Sequence, residues 1–195
     1  MFKCRVTHMQ GVLDLPGLTK KHAWPLYFCI QPDAETAERM LRVQGSILSG
    51  LAGTWSPTRR ERLHLSLLLV EMALRIRPAA HYGAVMAARR VAMSPFEVCC
   101  REAVSFAPLR RDGDSPLVLR AESPAIAELH RQLRLAMTRP ACTTPMEIAP
   151  HVTLARGARR LPSRAIEPIR FTVRDFALVW SAEAYQVVEV FPLGG

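Results

Sequence analysis

The run Leu26 to Ile30 (LYFCI) is wholly apolar and aromatic and stops at Pro32 and Asp33. A short apolar run bounded in this way predicts a buried strand, and Asp33 predicts the N-cap of a helix reaching about Ser49. Leu63 to Val70 (LHLSLLLV) alternates leucine with His64 and Ser66 before becoming continuously apolar, which predicts a second strand. Pro78 opens a helical stretch, AAHYGAVMAARRVA, because proline is well placed in a first helical turn. Phe96 to Phe106 and Leu117 to Arg120 predict two antiparallel strands around the turn residues Arg111, Asp112, Gly113, Asp114 and Ser115. Ser123 and Pro124 predict the cap and first turn of a helix, AIAELHRQLRLAM, whose apolar residues recur at helical spacing. Further strands are expected at 148 to 155, 169 to 180 and 185 to 191. This order of elements is that of an α+β protein with helices packed on mixed or antiparallel sheets. Residues 1 to 23 carry Gly11, Pro16 and Gly17 with little periodicity and read as an N-terminal arm; residues 24 to 195 read as a single domain.

A chain of 195 residues, 49% hydrophobic, can fill one core of this kind. No stretch approaches the roughly 18 apolar residues of a membrane span, and the opening MFKCRVTHMQ lacks the apolar segment of a secretion signal. The expectation is a cytoplasmic protein, monomeric and without a membrane partner. Five cysteines leave one unpaired, and Cys99 and Cys100 are neighbours in a strand, where adjacent side chains point to opposite faces. With no CxxC and no histidine pair at i, i+4, no metal or other cofactor is expected. Cys4, Cys29, Cys99, Cys100 and Cys142 are read as small hydrophobes.

Charge adds a partner. The net charge is +9, with only Lys3, Lys20 and Lys21 as lysines. Guanidinium forks match pairs of phosphate oxygens, so an arginine-rich surface suits a polyanion, although a biased genome composition would give the same count.

Two predicted strands share one phrase: His64-Leu65-Ser66-Leu67 and His151-Val152-Thr153-Leu154. Because side chains alternate, each histidine and the hydroxyl two residues later project from one face while the leucine and valine neighbours face the core. Two such strands side by side would make one polar cleft able to break a phosphodiester. One neutral imidazole takes a proton from water, the other, protonated, gives one to the leaving oxygen, and an unperturbed pKa near 6.5 permits both. The hydroxyls of Ser66 and Thr153 can donate to the non-bridging phosphate oxygens, and Arg156, Arg159 and Arg160 can add charge-assisted bonds. About 0.6 such tripeptides are expected by chance in this composition, so the weight rests on their matching apolar flanks, one set in each half of the chain.

These motifs, with the surrounding APHVTLAR at 149 to 156, resemble the two-histidine (2H) phosphoesterase superfamily, specifically its RNA 2',3'-cyclic phosphodiesterases, also called 2'-5' RNA ligase-like proteins. The strand LYFCIQP, the segment MSPFEV and the closing YQVVEVFPL are also similar, so the resemblance spans roughly residues 24 to 193. It implies a duplicated, two-lobed fold whose sheets line a central cleft with helices outside. It further implies His64 as the proton donor to the leaving 3'-oxygen, His151 as the base that activates water, Ser66 and Thr153 on the phosphate, and Arg156 as a following basic residue. The implied substrate is RNA or a nucleotide ending in a 2',3'-cyclic phosphate, opened to a 2'-phosphate. Serine stands where threonine is commoner in the first motif, and LLVEM replaces the usual Arg-Phe-Leu-Gly, which leaves substrate preference open.

Plainer readings compete. Either histidine alone would be a half-buried strand residue satisfied by a carbonyl; the pair with its flanks favours catalysis. His8, His22, His81 and His130 lack the pattern and are read as non-catalytic, the run Arg159, Arg160, Arg164 as chiefly a solvated loop. Trp180 is read as core, while Trp55 is the better candidate for stacking on a base. The functional alternatives are 2'-5' RNA ligation or hydrolysis of a small cyclic nucleotide with the same four residues, and a basic RNA-binding module without turnover.

Overall fold

The computed structural model describes residues 23 to 107, 114 to 137 and 148 to 194. Of the arm expected at 1 to 23, residues 1 to 22, and with them Cys4, His8 and His22, lie outside the described residues, as do the turn residues Arg111 to Gly113 and Cys142.

Strand β1 (Trp24–Ile30) comes from the LYFCI run, and Asp33 caps the helix that follows, α1 (Ala34–Leu48), accepting from Thr36 N–H at 2.8 Å. That bond holds the Asp33 carboxyl below its usual pKa. Strand β2 (Trp55–Pro57) and a 3-10 turn (Arg60–Arg62) precede β3 (Leu65–Ala73). Helix α2 (Pro78–Ala88), the hairpin β4 (Phe96–Ser105) and β5 (Ser115–Glu122), and helix α3 (Pro124–Ala136) follow as expected, β4 and β5 pairing antiparallel. Ser123 occupies the N-cap position of α3, but its side chain makes no capping bond. The chain ends through β6 (His151–Gly157), β7 (Arg164–Val173), β8 (Asp175–Ser181) and β9 (Tyr185–Pro192).

Among the described residues all strand pairs are antiparallel, in one nine-stranded sheet ordered β7-β4-β5-β6-β3-β1-β8-β9, with β2 added to β6. The order is symmetric about the β6-β3 seam, where one register pair, Leu65 with Val152, joins two four-stranded halves. These halves are the two lobes. The predicted strand at 169 to 180 is divided at Arg174, because β7 edges one lobe while β8 pairs with β1 in the other. The polar pair Arg174-Asp175 is the local mark of the crossing, and the single predicted strand ran through it. Strand β2 was not predicted.

The helices lie across the repeat. Helix α1, which follows β1, packs on β6 and β7, whereas α3, which follows β5, packs on β3. The main core lies between helices and sheet and includes Leu26, Phe28, Ile30, Met40, Leu65, Ile126, Leu129, Val152 and Phe176. Burying a side chain of this size contributes about 1.5–3 kcal/mol. Alternation turns Tyr27 and Cys29 to the other face, where they join Ala177 and Val179 in a small second cluster. The cysteines described, Cys29, Cys99 and Cys100, are free and buried.

Candidate active site

The motif residues meet at the seam. His64 stands one residue before β3 rather than within it, yet Leu63 and Leu65 on either side are buried, so it keeps the alternation. Because Leu65 is the antiparallel partner of Val152, a step along each strand sets His64 across from Thr153 and Ser66 across from His151. Each imidazole therefore faces the hydroxyl of the other motif. The charge on His151 acts on His64, which reports their proximity.

Both rings are held in the same way. His64 Nδ1 lies 2.8 Å from the carbonyl of Arg62, and His151 Nδ1 lies 2.7 Å from the carbonyl of Ala149. A carbonyl only accepts, so in both rings Nδ1–H donates and Nε2 is left for chemistry. The environments differ. His64 packs against Tyr27 and Tyr185, with ring centroids 5.2 and 6.0 Å away, whereas His151 meets the edge of Phe106 at 5.0 Å. Burial lowers the His64 pKa below the usual imidazole value, as do the charges of His151 and Arg62, while the bond to the Arg62 carbonyl opposes this.

Each motif strand carries a bulge at the same place. On β6, Ala155 pairs with Leu117 and Thr153 with Val118, which leaves Leu154 as the extra residue. On β3, Leu68 pairs with Phe28 and Ser66 with Cys29, which leaves Leu67 extra. Both fall three residues after the histidine. The bulge turns Leu154 and Ala155 together into the core and returns the exposed Arg156 to the face of His151 and Thr153; unbroken alternation would have sent it to the other side. On β3 the equivalent position is Leu69, an apolar residue. Thr153 is half-buried and Ser66 exposed.

Several contributors to this face were not singled out from sequence. Arg62 places its guanidinium 5.9 Å from the Tyr185 ring and donates to the Glu183 carbonyl at 3.1 Å. Tyr185 approaches Cys29 Sγ at 3.8 Å and Gln31 Nε2 at 3.4 Å. Burial pushes the Tyr27 hydroxyl and the Cys29 thiol up to about 12, and raises Tyr185 also, so all three stay protonated at neutral pH. Arg120, the register partner of His151, pairs with Glu102 at 3.4 Å. Tyr185 comes from β9, so only the assembled sheet brings it to His64, whereas Arg62 stands two residues before that histidine and carried no motif to mark it.

Other candidates sit elsewhere. Arg164 lines a cavity of about 360 Å³ with Arg39 and Arg42 between α1 and β7, on the helix side of the sheet. Arg159 and Arg160 are exposed in the turn after β6. Trp55 begins β2 and packs against the core; its ring lies so close to Gly157 that a β-carbon there would fall 2.6 Å from Trp55 Cε3. Trp55 is half-buried with its ring against Gly157, while Trp180 is in the core. His81 approaches Glu189 at 3.7 Å, and His130 is buried with Nδ1 2.8 Å from the Leu67 carbonyl. Among the described residues no group of three or more His, Cys, Asp or Glu could hold a metal ion, and no helix is long and apolar enough to cross a membrane.

The fold is shared with solved structures. LigT of E. coli is 22% identical with a TM-score of 0.68, covering 89% of this chain and 99% of that one. TT0787 of Thermus thermophilus is 22% identical with a TM-score of 0.67, covering 87% and 97%. The PDE domain of MHV ns2 is 16% identical with a TM-score of 0.52, covering 82% and 99%. The E. coli LigT structures include complexes with phosphate, 3'-AMP, ATP and NADP+. No curated protein matches the chain in sequence. The family model of the 2'-5' RNA ligase superfamily matches residues 32–184, well over half of the chain, which therefore belongs to that superfamily of two-histidine phosphoesterases.

Proposed function

We propose that this protein is a metal-independent RNA 2',3'-cyclic phosphodiesterase that opens terminal cyclic phosphates to 2'-phosphates. The observation that carries the reading is the seam register, which sets His64 against Thr153 and Ser66 against His151, with both Nε2 atoms left free by the Nδ1 bonds. A phosphorus between the two rings meets a proton acceptor on one side and a donor on the other. His151 Nε2 takes a proton from water as its oxygen bonds to phosphorus, and His64 Nε2–H protonates the 3'-oxygen as the P–O3' bond breaks. The 2'-phosphate and a 3'-hydroxyl result. Ser66 and Thr153 donate to the non-bridging oxygens, where charge concentrates, and Arg156 adds a charge-assisted bond from the same face.

The donor role asks something of the substrate. Burial favours neutral His64 in the free protein, so the anionic cyclic phosphate must raise its pKa on binding for the ring to arrive protonated. Attack by a 5'-hydroxyl in place of water would give 2'-5' ligation with the same groups, a reading favoured by the name of the matched family. The phosphate and nucleotide complexes of E. coli LigT support a nucleotide ligand. Both motifs lie on one chain, so a monomer suffices, and the free thiols of Cys29, Cys99 and Cys100 suit the cytoplasm.

The test is incubation with a 2',3'-cyclic nucleotide and with a cyclic-phosphate-ended oligonucleotide in excess EDTA, with products followed by phosphorus NMR. Multiple-turnover release of a 2'-phosphate is expected. Salt-sensitive RNA binding without turnover would instead indicate a binding module, and activity abolished by EDTA would contradict the metal-free mechanism.

A further inference from the structure

The bulge on each motif strand is held from the helix side by a buried polar residue belonging to the other half of the repeat. Gln44 of α1 is buried, and its Nε2 donates to the Leu154 carbonyl at 2.6 Å and to the Thr58 carbonyl at 2.9 Å. Thr58 N–H also donates to the Leu154 carbonyl at 2.7 Å. This is where β6 parts from β3 at the Leu65–Val152 pair and takes up β2 at Ala155 with Pro57. At this fork the Leu154 carbonyl accepts from both Thr58 N–H and Gln44, and the second amide proton of Gln44 goes to the Thr58 carbonyl. At the other bulge the buried His130 of α3 donates Nδ1–H to the Leu67 carbonyl at 2.8 Å. Leu67 and Leu154 are the equivalent extra residues of the two motifs.

We infer that Gln44 and His130 are positioning residues that fix the two bulges, so that the helix of each half braces the phosphate-binding strand of the other. Gln44 sets the phase that brings Arg156 to the face of Thr153 and His151, and His130 sets β3 behind Ser66. Neither touches substrate. Removing Gln44's donors takes that partner from the Thr58 carbonyl and leaves the Leu154 carbonyl with Thr58 N–H alone, and removing His130's takes the side-chain donor from the Leu67 carbonyl. The bulge can then relax toward regular pairing, which on β6 carries Arg156 off the site face. The inference rests on the phosphate-binding role proposed for Ser66 and Arg156.

Double-mutant cycles on the full chain test it, with kcat and KM measured on a 2',3'-cyclic nucleotide and folding checked by circular dichroism. Gln44→Met keeps length and removes both donors; it is expected to raise KM about tenfold in the wild-type background and far less in Arg156→Ala, since two residues that act through one backbone shift are not additive. In Ser66→Ala its effect should be undiminished. His130→Phe should show the reverse, coupling to Ser66→Ala and adding independently to Arg156→Ala. If Gln44→Met does not fold, Gln44→Glu, which keeps the length, is carried through the same cycle with the same coupling expected. Additive effects in every pairing, with Arg156→Ala and Ser66→Ala each harmful alone, would overturn the bracing and leave the proposed function intact. If Arg156→Ala and Ser66→Ala are both without effect, the phosphate-binding reading itself fails.

Discussion

Replacing His151 by alanine lowers kcat on a 2',3'-cyclic nucleotide by about 10²–10⁴-fold, and replacing His64 does the same, because each change removes one partner of the proton transfer. The double variant falls little below either single one, since an acid and a base acting on the same step form a unit whose losses do not add. Both rings are only half-buried and bond to the protein through one backbone carbonyl each, so their removal leaves the core intact. Thermal unfolding should therefore shift little while turnover collapses. Retained turnover in either single variant would remove that histidine from the mechanism; an equal loss of stability and rate would make the effect one of folding.

A second large effect is expected at the seam. Leu65 is buried and is the residue whose pairing with Val152 joins the halves, so Leu65→Ala opens a cavity where the motifs meet. The cost in stability should be about 2–5 kcal/mol, as for other buried leucines truncated to alanine. Leu178→Ala, at a fully buried position on β8, should cost a similar amount. Only the seam variant should also lower kcat in the fraction that remains folded, because misplacing paired groups by an ångström costs rate. Equal kcat in the two folded variants would show that the seam does not set the alignment of the motifs. Denaturant unfolding with activity measured below the transition separates these outcomes.

What the sequence made legible was local. The alternation around His64 and His151 depends on side chains two residues apart, and Leu26 to Ile30, Asp33, Pro78 and Pro124 announce a strand and helix starts through their own backbone preferences. The bulges were not legible. Leu67-Leu68 and Leu154-Ala155 look like ordinary apolar pairs, and the extra residue is apparent only when the partner strand is counted beside them. Strict alternation from His151 would have put Arg156 on the helix side. The crossing at Arg174 was missed although the polar pair Arg174-Asp175 marks it, because strand-forming apolar residues recur on both sides of that pair. Gln44 and His130 carry no motif, since what distinguishes them is a carbonyl supplied by the other half of the chain. Trp55 was legible as an aromatic residue in a polar stretch, but not the pairing of β2 with β6 that lays its ring against Gly157.

The claim beneath all of this is that two imidazoles serve one phosphorus. A nucleoside 2'-monophosphate, the product class of the proposed reaction, should therefore bind between them, and the ring nitrogens of His64 and His151 report this directly in NMR titrations from about pH 4 to about 9. In the free protein His64 should titrate below the usual imidazole range, because burial disfavours its charged form. With the nucleotide present the His64 pKa should rise, since an anion favours its imidazolium form, and the ring resonances of both histidines should move along a single binding curve at one equivalent. If one ring is unchanged, or the two respond at different nucleotide concentrations, the histidines do not share a phosphate and the two-histidine mechanism is contradicted.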